Sequence, residues 1–202
     1  MNSSLSSASE YRPKTFKDMI GQDAIVKTLS NAIKNDNIPQ ALLFCGPRGV
    51  GKTSCARILA KNINNLEENF EYNIFELDAA SNNSVEDIRN ITDQIRIPPQ
   101  VGKYKVYIID EVHMLSNQAF NAFLKSLEEP PKHVVFILAT TEKNKIIPTI
   151  LSRCQIYDFK KVDNTSIIKL LSNICEDKKI KYDENSLSLI ADKSDGYIRD
   201  SL

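Results

Sequence analysis

Along residues 41–159, apolar positions follow two patterns that alternate with each other. Short runs of apolar residues are typical of buried strands, whereas apolar residues three or four positions apart are typical of helices. The predicted strands are Ala41–Phe44, Ile74–Leu77, Val106–Ile109, Val134–Leu138 and Gln155–Phe159. Strands that alternate with helices form a parallel sheet with helices on both faces. The pattern therefore predicts an α/β fold around a five-stranded parallel sheet.

The helices between these strands have recognisable ends. Ser84 is followed by Asp87 three residues later, which predicts a capped helix whose apolar positions continue to Ile95. Ser116 is the expected cap of the next helix, Asn117–Glu128. Proline pairs follow both helices and end them, because proline cannot continue a helix. Further helices are predicted over Asp23–Asn35, Ser54–Ala60 and Pro148–Leu151.

The pattern changes near Asp163. Two helical stretches follow, Thr165–Glu176 and Glu184–Lys193, and a third begins at Tyr197, with no strand between them. We therefore expect one domain over residues 11–163 and a small all-α domain over residues 164–202 that the end of the chain truncates. Residues 1–10 are Ser-rich and lack an apolar core, so we expect a disordered tail rather than a signal peptide.

Composition and charge exclude several classes of protein. Lys+Arg and Asp+Glu both number 26 among the 202 residues, so the net charge is zero, whereas a free-standing nucleic-acid binder usually has a basic excess. The four cysteines form no C-x-x-C pair, which argues against a structural zinc site and favours reduced thiols in the cytoplasm. No apolar run approaches the length of a membrane span, so we expect no membrane partner.

Directly after the first predicted strand, the chain matches the phosphate-loop pattern G-x-x-x-x-G-K-[ST], and a helix follows. Backbone N–H groups of such a glycine-rich loop can point at phosphate oxygens, and the helix N-terminus favours negative charge at the same place. Lys52 is expected to reach the β- and γ-phosphates and Thr53 to bind Mg²⁺. An ordinary glycine-rich turn is the alternative, but every position of the motif is matched. The predicted nucleotide-binding residues are Gly46, Pro47, Arg48, Gly49, Val50, Gly51, Lys52 and Thr53.

Two acidic residues, Asp110 and Glu111, follow the third predicted strand. This is the Walker B arrangement, in which the aspartate would hold Mg²⁺ and the glutamate would polarise the attacking water. A plain acidic junction between strand and loop is the alternative. Thr141 ends the next strand and could orient the water or contact the γ-phosphate, although such a residue is more often only a strand-end hydroxyl. Because ligands bind at the carboxyl ends of parallel strands, these residues are expected beside the phosphate loop.

The pattern alone does not assign a role to two of the arginines. Arg153 precedes Cys154 and the last strand, and Arg199 lies near the end of the chain. For both, a solvated surface arginine is the simpler interpretation. His113 and His133 have no partners at metal-ligand spacing, so we assign no chemistry to them.

Taken in order, these motifs resemble the AAA+ ATPases of clamp loaders, most closely the gamma/tau subunits of bacterial DNA polymerase III. The resemblance covers nearly all of residues 10–202. The segments that carry it are Tyr11-Arg12-Pro13, Phe16, Ile20-Gly21-Gln22, Gly46–Thr53, Asp78–Ser81, Val106–Leu115, Phe120–Pro131, Ala139–Glu142, Ser152-Arg153-Cys154 and Gly196–Asp200. One departure is the short interval Asn62–Asn73, which has no cysteine where gamma/tau subunits carry a four-cysteine zinc module. We therefore expect no zinc.

The resemblance implies roles for individual residues and names ATP and Mg²⁺ as cofactors of an AAA+ fold with a helical lid. Arg153 would be an arginine finger that acts in trans on ATP bound by the neighbouring subunit. Arg199 would be the sensor-2 residue, acting in cis from the lid, and Thr141 would be sensor 1. The adenine side of the site would be lined by Tyr11, Arg12 and Ile20.

The resemblance also implies a function. The chain would be an ATP-hydrolysing member of a ring of clamp-loader subunits that loads the sliding clamp onto primed DNA, with no polymerase chemistry of its own. Helix N-termini around Ser81–Ser84 would contact the DNA backbone, which requires no basic composition. The alternatives are another AAA+ DNA-maintenance motor and a loader scaffold that binds nucleotide without hydrolysing it. A GTPase is disfavoured, since Asn144–Ile147 lacks the aspartate that would recognise guanine.

Overall fold

A computed structural model describes residues 7–64 and 70–202 of the chain. Within these ranges, five parallel strands form one sheet in the order β2-β3-β4-β1-β5. The strands are β1 (Ala41–Cys45), β2 (Ile74–Asp78), β3 (Lys105–Asp110), β4 (Val134–Thr140) and β5 (Gln155–Asp158). The predicted five-stranded parallel sheet is thereby confirmed.

Helices connect the strands and cover both faces of the sheet. They are α1 (Ser7–Glu10), α2 (Asp23–Lys34), α3 (Lys52–Asn64), α4 (Val85–Ile95), α5 (Asn117–Glu128), α6 (Pro148–Leu151), α7 (Asn164–Lys178), α8 (Glu184–Ser194) and α9 (Ile198–Ser201). The predicted capping box of α4 is present. The Ser84 hydroxyl accepts a hydrogen bond from the Asp87 amide at 3.2 Å, and the Asp87 carboxylate accepts one from the Ser84 amide at 3.2 Å. None of the helices in the described ranges is long and apolar enough to span a lipid bilayer.

Alternate residues of each strand contribute to two hydrophobic layers on opposite faces of the sheet. On one face, Phe44 of β1 belongs to the same buried cluster as Leu59 of α3. On the other face, Leu43 of β1 belongs to the same cluster as Phe123 of α5, which packs edge-on against Phe136 of β4. Because both faces are covered, the sheet is a rigid support for the loops at its ends.

The register of the sheet aligns the carboxyl ends of the strands. Cys45 of β1 pairs with Thr140 of β4, and Asp78 of β2 pairs with Asp110 of β3. The loops that leave these four strands therefore meet at one edge, which is where parallel α/β sheets place their ligands.

Helices α7, α8 and α9 pack around a small hydrophobic cluster of their own. Its buried members are Val162, Ile167, Leu171, Leu187 and Ala191. The N-terminal segment contacts this region, because Ile20 packs against the cluster. In addition, the Gln22 side chain donates to the Lys160 carbonyl at 2.7 Å and accepts from the Lys160 amide at 3.2 Å. The region after residue 163 is helical as expected, and the domain boundary there stays a prediction.

The expected disordered tail over residues 1–10 does not hold for residues 7–10. These residues form α1, and Glu10 makes an ion pair with Lys178 of α7 at 2.5 Å. The neighbouring Tyr11 hydroxyl donates to the Asp177 carboxylate, also on α7, at 3.3 Å. Partners that distant in sequence cannot be deduced from local composition. Residues 1–6, and residues 65–69 of the cysteine-free interval, lie outside the described residues.

Candidate active site

The carboxyl edge of the sheet holds a cavity of about 880 Å³. Its walls come from the phosphate loop, the ends of β3 and β4, the N-terminal segment and α9. Among the residues predicted for the site, those that line it are Tyr11, Arg12, Ile20, Pro47, Arg48, Gly49, Val50, Gly51, Lys52, Thr53, Asp110, Glu111, Thr141 and Arg199. Tyr11 and Arg199, which are 188 positions apart in the sequence, thus share one cavity.

The phosphate loop requires glycine at two places where the backbone is crowded. Gly46 has φ of +146°, and a Cβ there would lie 2.5 Å from the Phe159 carbonyl oxygen. Gly49 has φ of +79°, and a Cβ there would lie 3.2 Å from the Cβ of Arg199. Any other residue at either position would be strained, so the loop's close approach to Phe159 and to α9 depends on these glycines.

Lys52 lies over the phosphate loop and is only 6% exposed. Its ammonium donates to the carbonyl oxygens of Gly46 at 2.7 Å and Pro47 at 2.8 Å. Burial lowers the pKa of Lys52, while the nearby carboxylates of Glu111 and Asp110 act in the opposite direction. The cation is therefore held at the loop by carbonyl oxygens that an anionic ligand could replace.

Thr53 and Asp110 meet across the floor of the cavity. The Thr53 hydroxyl donates to the Asp110 carboxylate at 2.5 Å, joining the start of α3 to the end of β3. A hydroxyl and a carboxylate are oxygen ligands of the kind that Mg²⁺ prefers, so this pair fits the predicted magnesium site. Within residues 7–64 and 70–202, no group of three or more His, Cys, Asp and Glu side chains is placed to hold a metal ion.

Glu111 directly follows Asp110 and has an unusual backbone conformation. Its φ of 48° and ψ of 42° are left-handed, which is unfavourable for a residue with a Cβ. Its carboxylate accepts a hydrogen bond from the Thr141 hydroxyl at 3.1 Å. Strained residues of this kind occur often at functional sites, where the surrounding structure fixes the side chain.

His113 is a residue of the site that the sequence interpretation missed. Its side chain is 6% exposed. Its Nδ1 lies 3.0 Å from the Thr140 hydroxyl and 3.5 Å from the Glu111 carboxylate, and its Nε2 lies 3.3 Å from the Glu142 carboxylate. These partners belong to the ends of two adjacent strands, β3 and β4. The only sequence signal was the position of His113 three residues after Asp110, and its meaning depends on the strand order.

The helical region closes the cavity from the opposite side. Arg199 of α9 lines the cavity, and its amide lies 3.4 Å from the Gly49 carbonyl oxygen. Ile20 lines the cavity as well as packing against the helical cluster. A ligand in the cavity would therefore contact both the sheet edge and the helical region.

Arg153 and Gly46 are the two predicted site residues that are not among those lining the cavity. Gly46 lies at the base of the loop, beneath Lys52. Arg153 lies on the surface beyond α6, where its guanidinium donates to the Thr149 carbonyl at 2.6 Å and to the Glu128 carboxylate at 2.7 Å. The structure thus separates Arg153 from the cavity of its own chain.

The sheet order, the phosphate loop after β1 and the Asp-Glu pair after β3 define the chain as a protein of the AAA+ ATPase fold. Solved structures agree with this assignment. The RuvB Holliday junction branch migration motor of Thermotoga maritima has a TM-score of 0.76 at 21% identity, over 95% of this chain and 62% of that one. A DNA polymerase III gamma subunit-related protein of the same organism has a TM-score of 0.57 at 22% identity, over 83% of this chain and 58% of that one. At such identities the likeness shows the fold alone.

Within this class, the chain belongs to the family described as DNA polymerase III, delta subunit, whose model matches residues 21–163. Curated relatives are DNA polymerase III subunits named tau or gamma. Subunit tau of Bacillus subtilis is 46% identical over 95% of this chain, subunit gamma of Buchnera aphidicola 44% over 96%, and subunit tau of Escherichia coli 42% over 96%. The chain spans 37%, 57% and 33% of their respective lengths. The resemblance to the gamma/tau subunits is thereby confirmed.

Proposed function

We propose that the chain is an ATP-hydrolysing subunit of the DNA polymerase III clamp loader, which loads the sliding clamp onto primed DNA. The observation that carries this proposal is the convergence of Lys52, Thr53, Asp110 and Glu111 on one cavity. The tau and gamma names of relatives at 42–46% identity support the replication role. The proposed partners are other loader subunits, the clamp and primed DNA, and the proposed location is the cytoplasm.

The residues of the cavity account for ATP binding. The N–H groups of the phosphate loop and of the first turn of α3 would bind phosphate oxygens, and Lys52 would exchange the Gly46 and Pro47 carbonyls for the β- and γ-phosphates. Thr53 and Asp110 would hold Mg²⁺, which neutralises charge on the phosphates when it is bound. On the opposite side, Tyr11, Arg12 and Ile20 would contact the adenine.

The same cavity contains the groups that hydrolysis requires. Glu111 would act as the general base that accepts a proton from the attacking water. The hydrogen bond from Thr141 and the contact with His113 hold its carboxylate at the ends of β3 and β4. Thr141 would also sense the γ-phosphate, and Arg199 would contact it from α9. A base fixed in this way is expected in a subunit that hydrolyses ATP rather than one that only binds it.

Arg153 would complete the cavity of a neighbouring subunit. It is not among the residues that line the cavity of its own chain, and it is partly exposed, with 33% of its side-chain surface accessible. A guanidinium provided in trans stabilises the charge of the transition state and contributes about 10³–10⁵ in rate. In this proposal, ATP hydrolysis depends on the contact between two subunits, so it can be coupled to their assembly around DNA.

DNA would contact the exposed turn before α4, around Ser81–Ser84. The chain has zero net charge, so contacts of backbone N–H groups with phosphates suit it better than a basic surface.

Two alternative functions remain open to experiment. The first is a DNA-maintenance motor, with which the chain shares its fold in the case of RuvB, but the gamma and tau relatives are about twice as similar in sequence. A non-hydrolysing scaffold is disfavoured, because the lysine, the two acidic residues and the sensor threonine are all present in the cavity.

The test uses the full-length protein assembled with its partner loader subunits. ATP hydrolysis is measured with the sliding clamp alone, with primed DNA alone and with both. We expect strong stimulation only when both are present, and a Glu111→Gln complex that binds ATP but gives no stimulated hydrolysis. A hydrolysis rate that does not change when the clamp is added would instead support the maintenance motor. The absence of hydrolysis under all conditions would support the scaffold.

A further inference from the structure

The guanidinium of Arg153 is held at two points. One nitrogen donates to the Glu128 carboxylate at 2.7 Å, and the other terminal nitrogen donates to the Thr149 carbonyl at 2.6 Å. A guanidinium carries five N–H donors, so these two contacts leave three for another group. The contacts therefore fix the direction of the side chain without using up its capacity to bind an anion.

The backbone that carries Glu128 is firmly placed. Glu128 is the last residue of α5, and the preceding Leu127 is buried in the hydrophobic cluster beneath the helix. The turn that follows is held by Gln40, whose side chain donates to the Pro131 carbonyl at 2.8 Å and the Val134 carbonyl at 3.3 Å. The carboxylate therefore projects from a fixed point.

The backbone that carries Arg153 is placed equally well. Its amide donates to the Ile150 carbonyl at 3.0 Å, and Ile150 is fully buried in the same cluster as Leu127. Cys154, the next residue, packs against that cluster too. Two well-packed backbones thus meet through one ion pair, which sets the orientation of the Arg153 side chain together with the Thr149 carbonyl.

We propose that Glu128 is a positioning residue for Arg153, holding its guanidinium ready to act on ATP bound by the neighbouring subunit. This inference rests on the proposed trans role of Arg153. A free arginine side chain samples many rotamers, and all but the productive one are lost when the guanidinium binds a phosphate. An arginine that is already oriented loses less freedom at that step, so hydrolysis is faster for the same contacts.

The chain offers a matched control in Glu129. It is exposed like Glu128 and one residue further along, but the contact with Arg153 belongs to Glu128 alone of the two. Both glutamates lie at the C-terminal end of α5, where negative charge is unfavourable to the helix. Neutralising either one is therefore compatible with folding, and thermal unfolding of each variant checks this directly.

The experiment compares Glu128→Gln, Glu128→Ala and Glu129→Gln in full-length protein assembled with loader subunits, clamp and primed DNA. We expect kcat for ATP hydrolysis to fall about fivefold in Glu128→Gln and further in Glu128→Ala, with KM for ATP unchanged, since loss of an exposed ion pair has about this effect. Glu129→Gln should match the wild type. Equal rates in Glu128→Gln and Glu129→Gln would overturn the proposal.

A second comparison separates this inference from the function on which it rests. In an Arg153→Ala background, Glu128→Gln should have no further effect, because the residue it positions is missing. A further fivefold loss there would show that Glu128 acts by another route and would overturn the proposal. If Arg153→Ala by itself leaves hydrolysis intact, the trans role fails, and the positioning role fails with it. If Arg153→Ala abolishes hydrolysis but Glu128→Gln has no effect, only the positioning role fails.

Discussion

The candidate nucleotide cavity and the Arg153 segment are built differently. In the cavity, Lys52 is 6% exposed, and Thr53 bonds directly to Asp110. Arg153 has a third of its side chain exposed, and its guanidinium donates to Glu128 and Thr149, neither of which lines the cavity. The cavity contains the groups expected for ATP binding, whereas Arg153 is not among the residues that line it. Under the proposed function, one chain would contribute to two separate nucleotide sites.

The two regions nevertheless pack on the same hydrophobic cluster. Cys45 ends the strand that leads into the phosphate loop, and Cys154 directly follows Arg153. Both side chains pack in the cluster on the α5 face of the sheet. The exposed ion pair between Arg153 and Glu128 contributes about 0–1 kcal/mol to stability, so the segment is held mainly by its buried neighbours.

Replacing Arg153 gives the largest expected effect and tests the difference between the regions. Arg153→Ala should leave ATP binding nearly unchanged and lower hydrolysis by the assembled complex about 10³-fold or more, because the guanidinium would act only in the transition state. Equilibrium ATP binding and steady-state hydrolysis are measured on the same complexes. Arg153→Lys, which keeps the charge but loses the fork of donors, should recover only part of the rate. Normal hydrolysis in the Arg153→Ala complex would show that Arg153 is an ordinary surface residue.

Replacing Lys52 should produce the opposite pattern. Lys52→Ala should weaken ATP binding about 100-fold, since it removes charged hydrogen bonds to the phosphates in a buried place. Titration of a fluorescent ATP analogue measures the affinity. Lys27→Ala, on the exposed surface of α2, is the control and should bind normally. Wild-type affinity in Lys52→Ala would contradict the assignment of the phosphate loop.

His113 allows a finer test of the cavity. His113→Ala should lower kcat about tenfold with little change in ATP affinity, because the Glu111 carboxylate would lose one of the groups that hold it. The control is His133→Ala, at the opposite edge of the sheet, where the ring contacts the Ile95 carbonyl. Equal kcat values in the two histidine variants would show that His113 does not help to hold the Glu111 carboxylate.

The buried cysteines give the smallest expected effect, and two of them, Cys45 and Cys154, lie in the hydrophobic cluster that the two regions share. Burial raises the pKa of Cys45 to about 11 and of Cys55 and Cys154 to about 12. At pH 8, about one thiol in a thousand or fewer would be ionised at these sites, so alkylation should be very slow. Mass spectrometry after iodoacetamide treatment should find these three unmodified in the folded protein and modified after unfolding. Rapid labelling of Cys154 would show that the segment carrying Arg153 opens.

Much of the fold could be predicted because local signals agreed with each other. Helix α5 runs over Asn117–Glu128 as predicted from the Ser116 cap, the apolar spacing and the proline pair. The central strands β1, β3 and β4 were recognisable because both of their faces are buried. Their order in the sheet could not be predicted, since it depends on contacts between segments far apart in the chain.

The candidate site was predictable to the extent that its chemistry lies in continuous motifs. The phosphate loop and the Asp110-Glu111 pair are of this kind. His113 was missed because its partners follow a different strand, and α1 was missed because its ion pair involves α7. The Glu128–Arg153 pair joins residues 25 positions apart, so only the packing of α5 and α6 could show it.

Complementation between two inactive chains tests the central claim most directly. Full-length Lys52→Ala and Arg153→Ala proteins are assembled into loader complexes separately and together, and clamp- and DNA-stimulated ATP hydrolysis is measured. The account predicts that mixed complexes hydrolyse ATP at least about tenfold faster than either variant alone, because Arg153 of the first chain can complete the intact cavity of the second. Mixed complexes no faster than the average of the two variants would contradict a nucleotide site shared between subunits.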